Sequence, residues 1–164
     1  MAGDAERAEL LALYADLDAE IAAENPRCDV SGRCCRFSEY GHTLFLSAAE
    51  ADLLFAVPPM PSEDRGECPY QVGGRCTARG RRPLGCRTYF CDPAYAERMV
   101  EISEAAIRHL KAWHDRWDRP WDYRPLERLL AERRVAPAEA EGPGPSLPIL
   151  PSIPIKLDSS RCSE

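Results

Sequence analysis

No uninterrupted apolar run in the chain approaches the roughly 18 residues needed to cross a membrane. The opening stretch, MAGDAERAELLALYADLDAE, lacks the basic start and apolar run of a secretory leader. The expectation is a cytoplasmic protein with no membrane partner. Excess positive charge is also missing. The net charge is −6, and generic nucleic-acid binding wants a strongly basic surface, so no nucleic-acid partner is expected. No G-x-G-x-x-G precedes a helix, and no Lys-Ser or Lys-Thr follows Gly73-Gly74, so there is neither a nucleotide nor an S-adenosylmethionine fingerprint. Internal repeats are absent too.

Cysteine is abundant, with eight in 164 residues. In a reducing compartment that number points to metal binding or redox chemistry rather than to structural disulfides. Seven fall between residues 28 and 91: Cys28, Cys34, Cys35, Cys68, Cys76, Cys86 and Cys91; Cys162 stands apart. Their spacing is neither the paired C-x2-C of a zinc ribbon nor the C-x2-C-x2-C-x3-C-P run of bacterial ferredoxins. A site built from them needs thiolates from three segments: the 28–35 loop, the 68–76 stretch and the 86–91 loop. Charge is uneven in a way that matters here. Met1 to Asn25 holds seven acids against Arg7 alone, whereas Cys68 to Cys91 holds five arginines and no acid. Arg82 and Arg87, with the start of a helix after Cys91, are expected to favour thiolate.

Periodicity supplies the frame. Leu10, Tyr14, Leu17 and Ile21 form one stripe of a helix over 4–24, with Asp4 as its cap and Asn25-Pro26 as its end. Thr43 to Leu46 reads as a short buried strand, running into the capping box Ser47-Ala48-Ala49-Glu50 and a helix over 48–57. CPYQVGGRC predicts a hairpin turning at Gly73-Gly74, and TARGRRPLG shows neither period. Asp92 and Pro93 open a long helix with the stripe Tyr95, Met99, Ile102, Ala106, Leu110, Trp113, Trp117; Pro120 breaks it, and a short helix follows from Pro125 to about Val135. The expected fold is therefore mainly α, with a small irregular Cys-rich α+β core (short strand and hairpin) organised by a metal site. It comprises one domain over 1–135, with the N-terminal helix at 4–24, the Cys-rich core at 28–92 and C-terminal helices at 93–135. Six prolines make 136–164 an extended or disordered tail.

The stretches CDVSGRCC and CPYQVGGRCTARGRRPLGCRTYFC resemble the bacterial CxxCxxCC cysteine-cluster family, described as zinc- or iron-chelating and related to flagellin lysine N-methylase. All seven clustered cysteines match its pattern, as do Arg82-Pro83 and Arg87. Ser31 stands where the family has its second cysteine, and Phe90 makes the last motif C-R-T-Y-F-C. The resemblance, over about residues 28–92, implies a zinc ion or a 4Fe–4S cluster. It leaves open which thiols ligate, and whether Cys34 and Cys35 serve one ion or two. Serine is a poor ligand, so the site is expected to draw Cys28 and one of Cys34 and Cys35 from the first loop. The expected function is metal binding, with room for a protein partner; whether the protein is also an enzyme stays open at this point. The alternatives are an iron–sulfur-dependent protein-modifying enzyme like the lysine N-methylase, and a thiol redox sensor using Cys34-Cys35. Among the histidines, His42 is the one nitrogen donor worth watching; His109 and His114 lie about 140° apart on a helix and are read as surface or core residues.

Overall fold

The computed structural model describes residues 3–59 and 66–135. The proline-rich tail, Cys162 and the middle of the 58–67 loop lie outside the described residues. Among the described residues six α-helices and four short strands follow in the order α1 (Asp4–Glu24), α2 (Phe37–Tyr40), β1 (Phe45–Ser47), α3 (Ala48–Phe55), β2 (Gln71–Val72), β3 (Arg75–Cys76), α4 (Leu84–Thr88), α5 (Ala96–Arg116), β4 (Tyr123–Pro125) and α6 (Leu126–Val135). The molecule is mainly helical, with two small antiparallel sheets. Among the described residues no helix is long and apolar enough to cross a membrane.

The helical stripes behave as their spacing requires. Leu10, Tyr14, Leu17 and Ile21 of α1 are buried against Ile102, Ala106, Leu110 and Trp113 of α5. Asn25 ends α1 in the left-handed conformation (φ 48°), a cap that asparagine tolerates. The cap at the other end is Gly3 rather than Asp4, and the Glu6 carboxylate accepts from its amide at 2.8 Å. Asp92 Oδ1 accepts from Ala94, but the long helix opens through a 3-10 turn at Pro93–Tyr95 before becoming α-helical. The acids of α1 are not a bare solvated face. Glu24 pairs with Arg98 at 2.8 Å, Glu6 with Arg119 at 2.5 Å, and Glu9 with Arg116 while also accepting from Trp117 Nε1. Exposed pairs of this kind each contribute only about 0–1 kcal/mol, so they align the two helices more than they hold them.

A second core lies on the other side of α3. Leu46, Leu54, Phe55, Tyr70, Leu126 and Leu129 form its apolar part, with Cys35 and Cys68 buried among them. The strand expected over 43–46 forms at Phe45–Ser47, starting two residues later and ending one later, with Phe45 exposed. Its partner β4 pairs Leu46 with Arg124 and Ser47 with Tyr123, a strand that a proline-flanked triplet does not announce. The Gly73-Gly74 hairpin forms, with φ of 57° and 78° at its two central residues, the sign that a two-residue hairpin turn demands.

Between the two cores sits Glu50, with none of its surface exposed. It completes the capping box, its Oε2 accepting from the Ser47 amide at 2.9 Å while its own amide donates to Ser47 Oγ. Its Oε1 accepts from the Tyr14 hydroxyl at 3.0 Å and from the Leu84 amide at 2.7 Å. The Tyr14 ring in turn lies 4.2 Å from the Arg87 guanidinium. Arg87, only 4% exposed, donates to Asp18 at 2.5 Å and to the carbonyls of Arg82 and Gly80. One buried carboxylate therefore ties α1, α3 and α4 together.

Removing the hydroxyl with Tyr14→Phe leaves Glu50 short of a donor in a dry site, and the expected loss of stability is about 1–3 kcal/mol by denaturant unfolding. Burial raises the Glu50 carboxyl above its ordinary 4.5, outweighing the donors from Leu84, Ser47 and Tyr14. A raised folded value means that the native state keeps a proton which the unfolded chain gives up. The stabilisation is thus full below about 4.5 and is lost as pH rises through the folded value. Urea midpoints measured across that window should show the wild type losing ground to Glu50→Gln as pH rises; parallel curves would contradict this account.

Candidate metal centre

Three chain segments meet on one flank of the second core. The 28–35 loop ends in a 3-10 turn, Arg33–Cys35, and the Cys68 amide donates to the Cys35 carbonyl at 2.8 Å. The Ser38 amide donates to the Gly66 carbonyl at 3.1 Å, and Gln71 Nε2 reaches the Gly32 carbonyl at 3.4 Å. These bonds fasten the first loop to the hairpin. Gly32 is required at the junction: its φ is 71°, and a Cβ there would stand 2.4 Å from Gln71 Nε2 and 3.3 Å from the Gly74 Cα. The third arm is α4, five residues long, which follows Pro83 and carries Cys86.

The consequence is an inner group of five thiols. Cys35 and Cys68 are buried, while Cys34, Cys76 and Cys86 are partly buried against the same cluster. Cys34 Sγ and Cys35 Sγ are 3.8 Å apart. All seven cysteines of residues 28–91 are free thiols. Cys28 is exposed, and its neighbour Arg27 donates from its amide to Asp92 at 3.0 Å, which sets the Cys28 loop beside the segment following Cys91. Cys28 is exposed and Cys91 half-buried outside that apolar cluster, whereas the other five pack in or against it; in the first loop these are Cys34 and Cys35. Ser31 sits on the outer part of that loop, its Oγ accepting weakly from the Arg33 amide at 3.5 Å.

The electrostatics differ from the expected stabilisation of thiolates by nearby arginines. Arg87 turns away into the Tyr14–Glu50 network, which leaves Arg82 as the arginine acting on the cluster. Cys34 is raised by its hydrogen bond with Cys35 and by burial, only partly offset by Arg82. For Cys35, the bond from Cys34 pulls downward, but the contact with Cys68 and burial outweigh it and leave the thiol at about 12. Cys86 is raised by burial first and by Cys35 next. Neighbouring sulfurs thus help to raise Cys34, Cys35 and Cys86, and Arg82 only partly offsets this at Cys34 and Cys86. A divalent cation among them would reverse that balance, because a coordinated thiol releases its proton to solvent.

In chemistry and number the donors fit zinc or an iron–sulfur cluster, both of which take thiolate ligands. As placed, no three His, Cys, Asp or Glu side chains among the described residues are arranged to hold an ion. Binding therefore entails rotation of some of these side chains. Room for that movement exists in a cavity of about 220 Å³ bounded by Cys34, Cys86, Phe37, His42, Tyr89 and Tyr123. His42 enters this lining as the one histidine beside the thiols. His109 is exposed, and His114 is packed edge-on against Trp113 and Trp121, its charged form disfavoured by burial, as a core histidine should be.

In the reduced, metal-free protein near neutral pH, alkylation followed by mass spectrometry should label the exposed Cys28 well ahead of the buried Cys35. A value of about 12 gives Cys35 roughly a thousandfold less thiolate than an unperturbed thiol. Equal labelling of Cys35 and Cys28 would contradict the placement of the inner group.

No protein-family model matches the chain, and comparison with curated proteins and with solved structures finds no match. The likeness to the CxxCxxCC group thus rests on the cysteine, arginine and proline positions named above.

Proposed function

We propose that the protein binds a thiophilic metal through the inner thiols Cys34, Cys35, Cys68, Cys76 and Cys86, with zinc as the first expectation. The observation that supports this most is their convergence. Three segments far apart in sequence deliver five unbonded thiols to one core flank, and none of the five is needed there to complete a disulfide. Small apolar side chains would pack the same volume without burying reactive sulfur. The cluster also suits metal better than thiol chemistry. A nucleophilic or redox-active cysteine is favoured by a lowered pKa and access, whereas Cys35 and Cys86 have raised values and limited exposure. The CxxCxxCC likeness supports the same reading and extends to the iron–sulfur form. In either form the site ties the first loop, the hairpin and α4 into one body, a structural role that needs no substrate.

The test is anaerobic purification of the full chain, followed by elemental analysis and an absorption spectrum. The zinc form is colourless and carries a stoichiometric ion. A brown protein with iron and sulfide would replace zinc by the cluster, and a metal-free protein with a reversible Cys34–Cys35 disulfide would replace both by the redox sensor. Replacing Cys86 or Cys35 by serine should weaken binding by more than the roughly 10- to 100-fold that loss of an outer-shell partner costs. Cys28→Ser should leave affinity and stoichiometry at the wild-type level. Loss of metal in Cys28→Ser with retention in Cys86→Ser would overturn the proposed ligand set.

A further inference from the structure

His42 follows Gly41, which closes α2 in the left-handed conformation (φ 65°), and its amide donates to the Phe37 carbonyl at 3.2 Å. Its ring is held on three sides. Phe37 meets it edge-on at 5.8 Å, Tyr40 stacks at 6.4 Å and Tyr89 lies at 5.3 Å. An imidazole gripped in this way does not rotate freely to find a partner. Yet its Nε2 is shut off from solvent and has no hydrogen-bond partner. A buried polar atom left unmatched costs about 1–3 kcal/mol, so such an atom calls for an explanation. The same ring lines the cavity whose other walls include Cys34 and Cys86. The His42 ring, Cys34 and Cys86 therefore border one small space, and Cys35 and Cys68 are buried in the adjoining core.

We infer that His42 is the nitrogen donor of the metal centre, entering from the cavity side next to Cys34 and Cys86. This rests on the metal-binding reading above and sharpens it: the ion's environment is mixed sulfur and nitrogen rather than thiolate alone. An imidazole in the Nδ1–H tautomer presents a lone pair at Nε2 for a metal.

The experiment is titration of the full reduced chain with Co²⁺, read from the visible d–d bands and the sulfur-to-cobalt charge-transfer band. The variants are His42→Ala and His42→Phe, the second keeping an aromatic ring in the clamp; circular dichroism of the metal-free proteins checks the fold. The expected result is a cobalt spectrum in the wild type whose d–d bands shift in both variants, with affinity reduced about 10-fold or more while sulfur charge transfer persists. Identical d–d bands and affinity in wild type and His42→Phe would overturn the nitrogen assignment and leave the thiol centre standing, with water as the occupant beside Nε2. Absence of any sulfur-to-cobalt band in the wild type would overturn the metal reading itself, and this inference with it.

Discussion

A fully enclosed carboxylate holds three helices in place, and most of the architecture can be traced to it. Glu50 has to satisfy the free amides at the start of α3, which is ordinary capping, but its second oxygen is committed to Tyr14 on α1 and to the Leu84 amide at the start of α4. These partners fix where α4 begins. The position of α4 then decides where Cys86 points, because the thiol lies two residues beyond Leu84 on the same short helix. Desolvating a carboxylate in this way is expensive, and its partners are correspondingly complete.

Arg87 shows how closely the scaffold and the thiol cluster are interlocked. It is the residue next to Cys86, yet its guanidinium reaches Asp18 on α1, the face of Tyr14 and two backbone carbonyls. A helix of five residues thus anchors one core with its arginine and serves the other with its cysteine. The first loop is secured differently, by backbone bonds to the hairpin that include the pairing of Cys68 with Cys35. Side-chain chemistry positions one arm of the candidate centre and main-chain chemistry the other two.

The sequence shows the elements with a strong period or a strong local signature. The stripes of α1 and α5 are legible because each buries a single face, and the Ser47–Glu50 box and the Gly73-Gly74 turn are local devices that need little tertiary context. What escapes notice is set by long-range contact. β4 is three residues long, ends in proline and exists because β1 supplies its partner. α4 is too short to show a period, and its start is fixed by Glu50 from thirty-four positions upstream. Arg87 has the composition of a thiolate stabiliser but the geometry of a core anchor. At the site, the seven cysteines are plain in the sequence, but their division into five inward and two outward is not. Spacing does not reveal which of Cys28 and Cys34 faces the core.

The pairing of α1 with α5 joins segments far apart in the chain, and everything from Pro26 to Cys91 lies in the loop that this pairing closes. Closing a long flexible loop is slow and entropically unfavourable, and the cost falls when the loop is first pinched into smaller ones. The 35–68 contact and the Glu50–Leu84 bond are such pinches, each dividing that loop at a different place. An ion gathering thiols from residues 34 to 86 would tighten the same constrictions. Contacts within the cysteine-bearing half therefore shorten the loop that the pairing of α1 with α5 has to close.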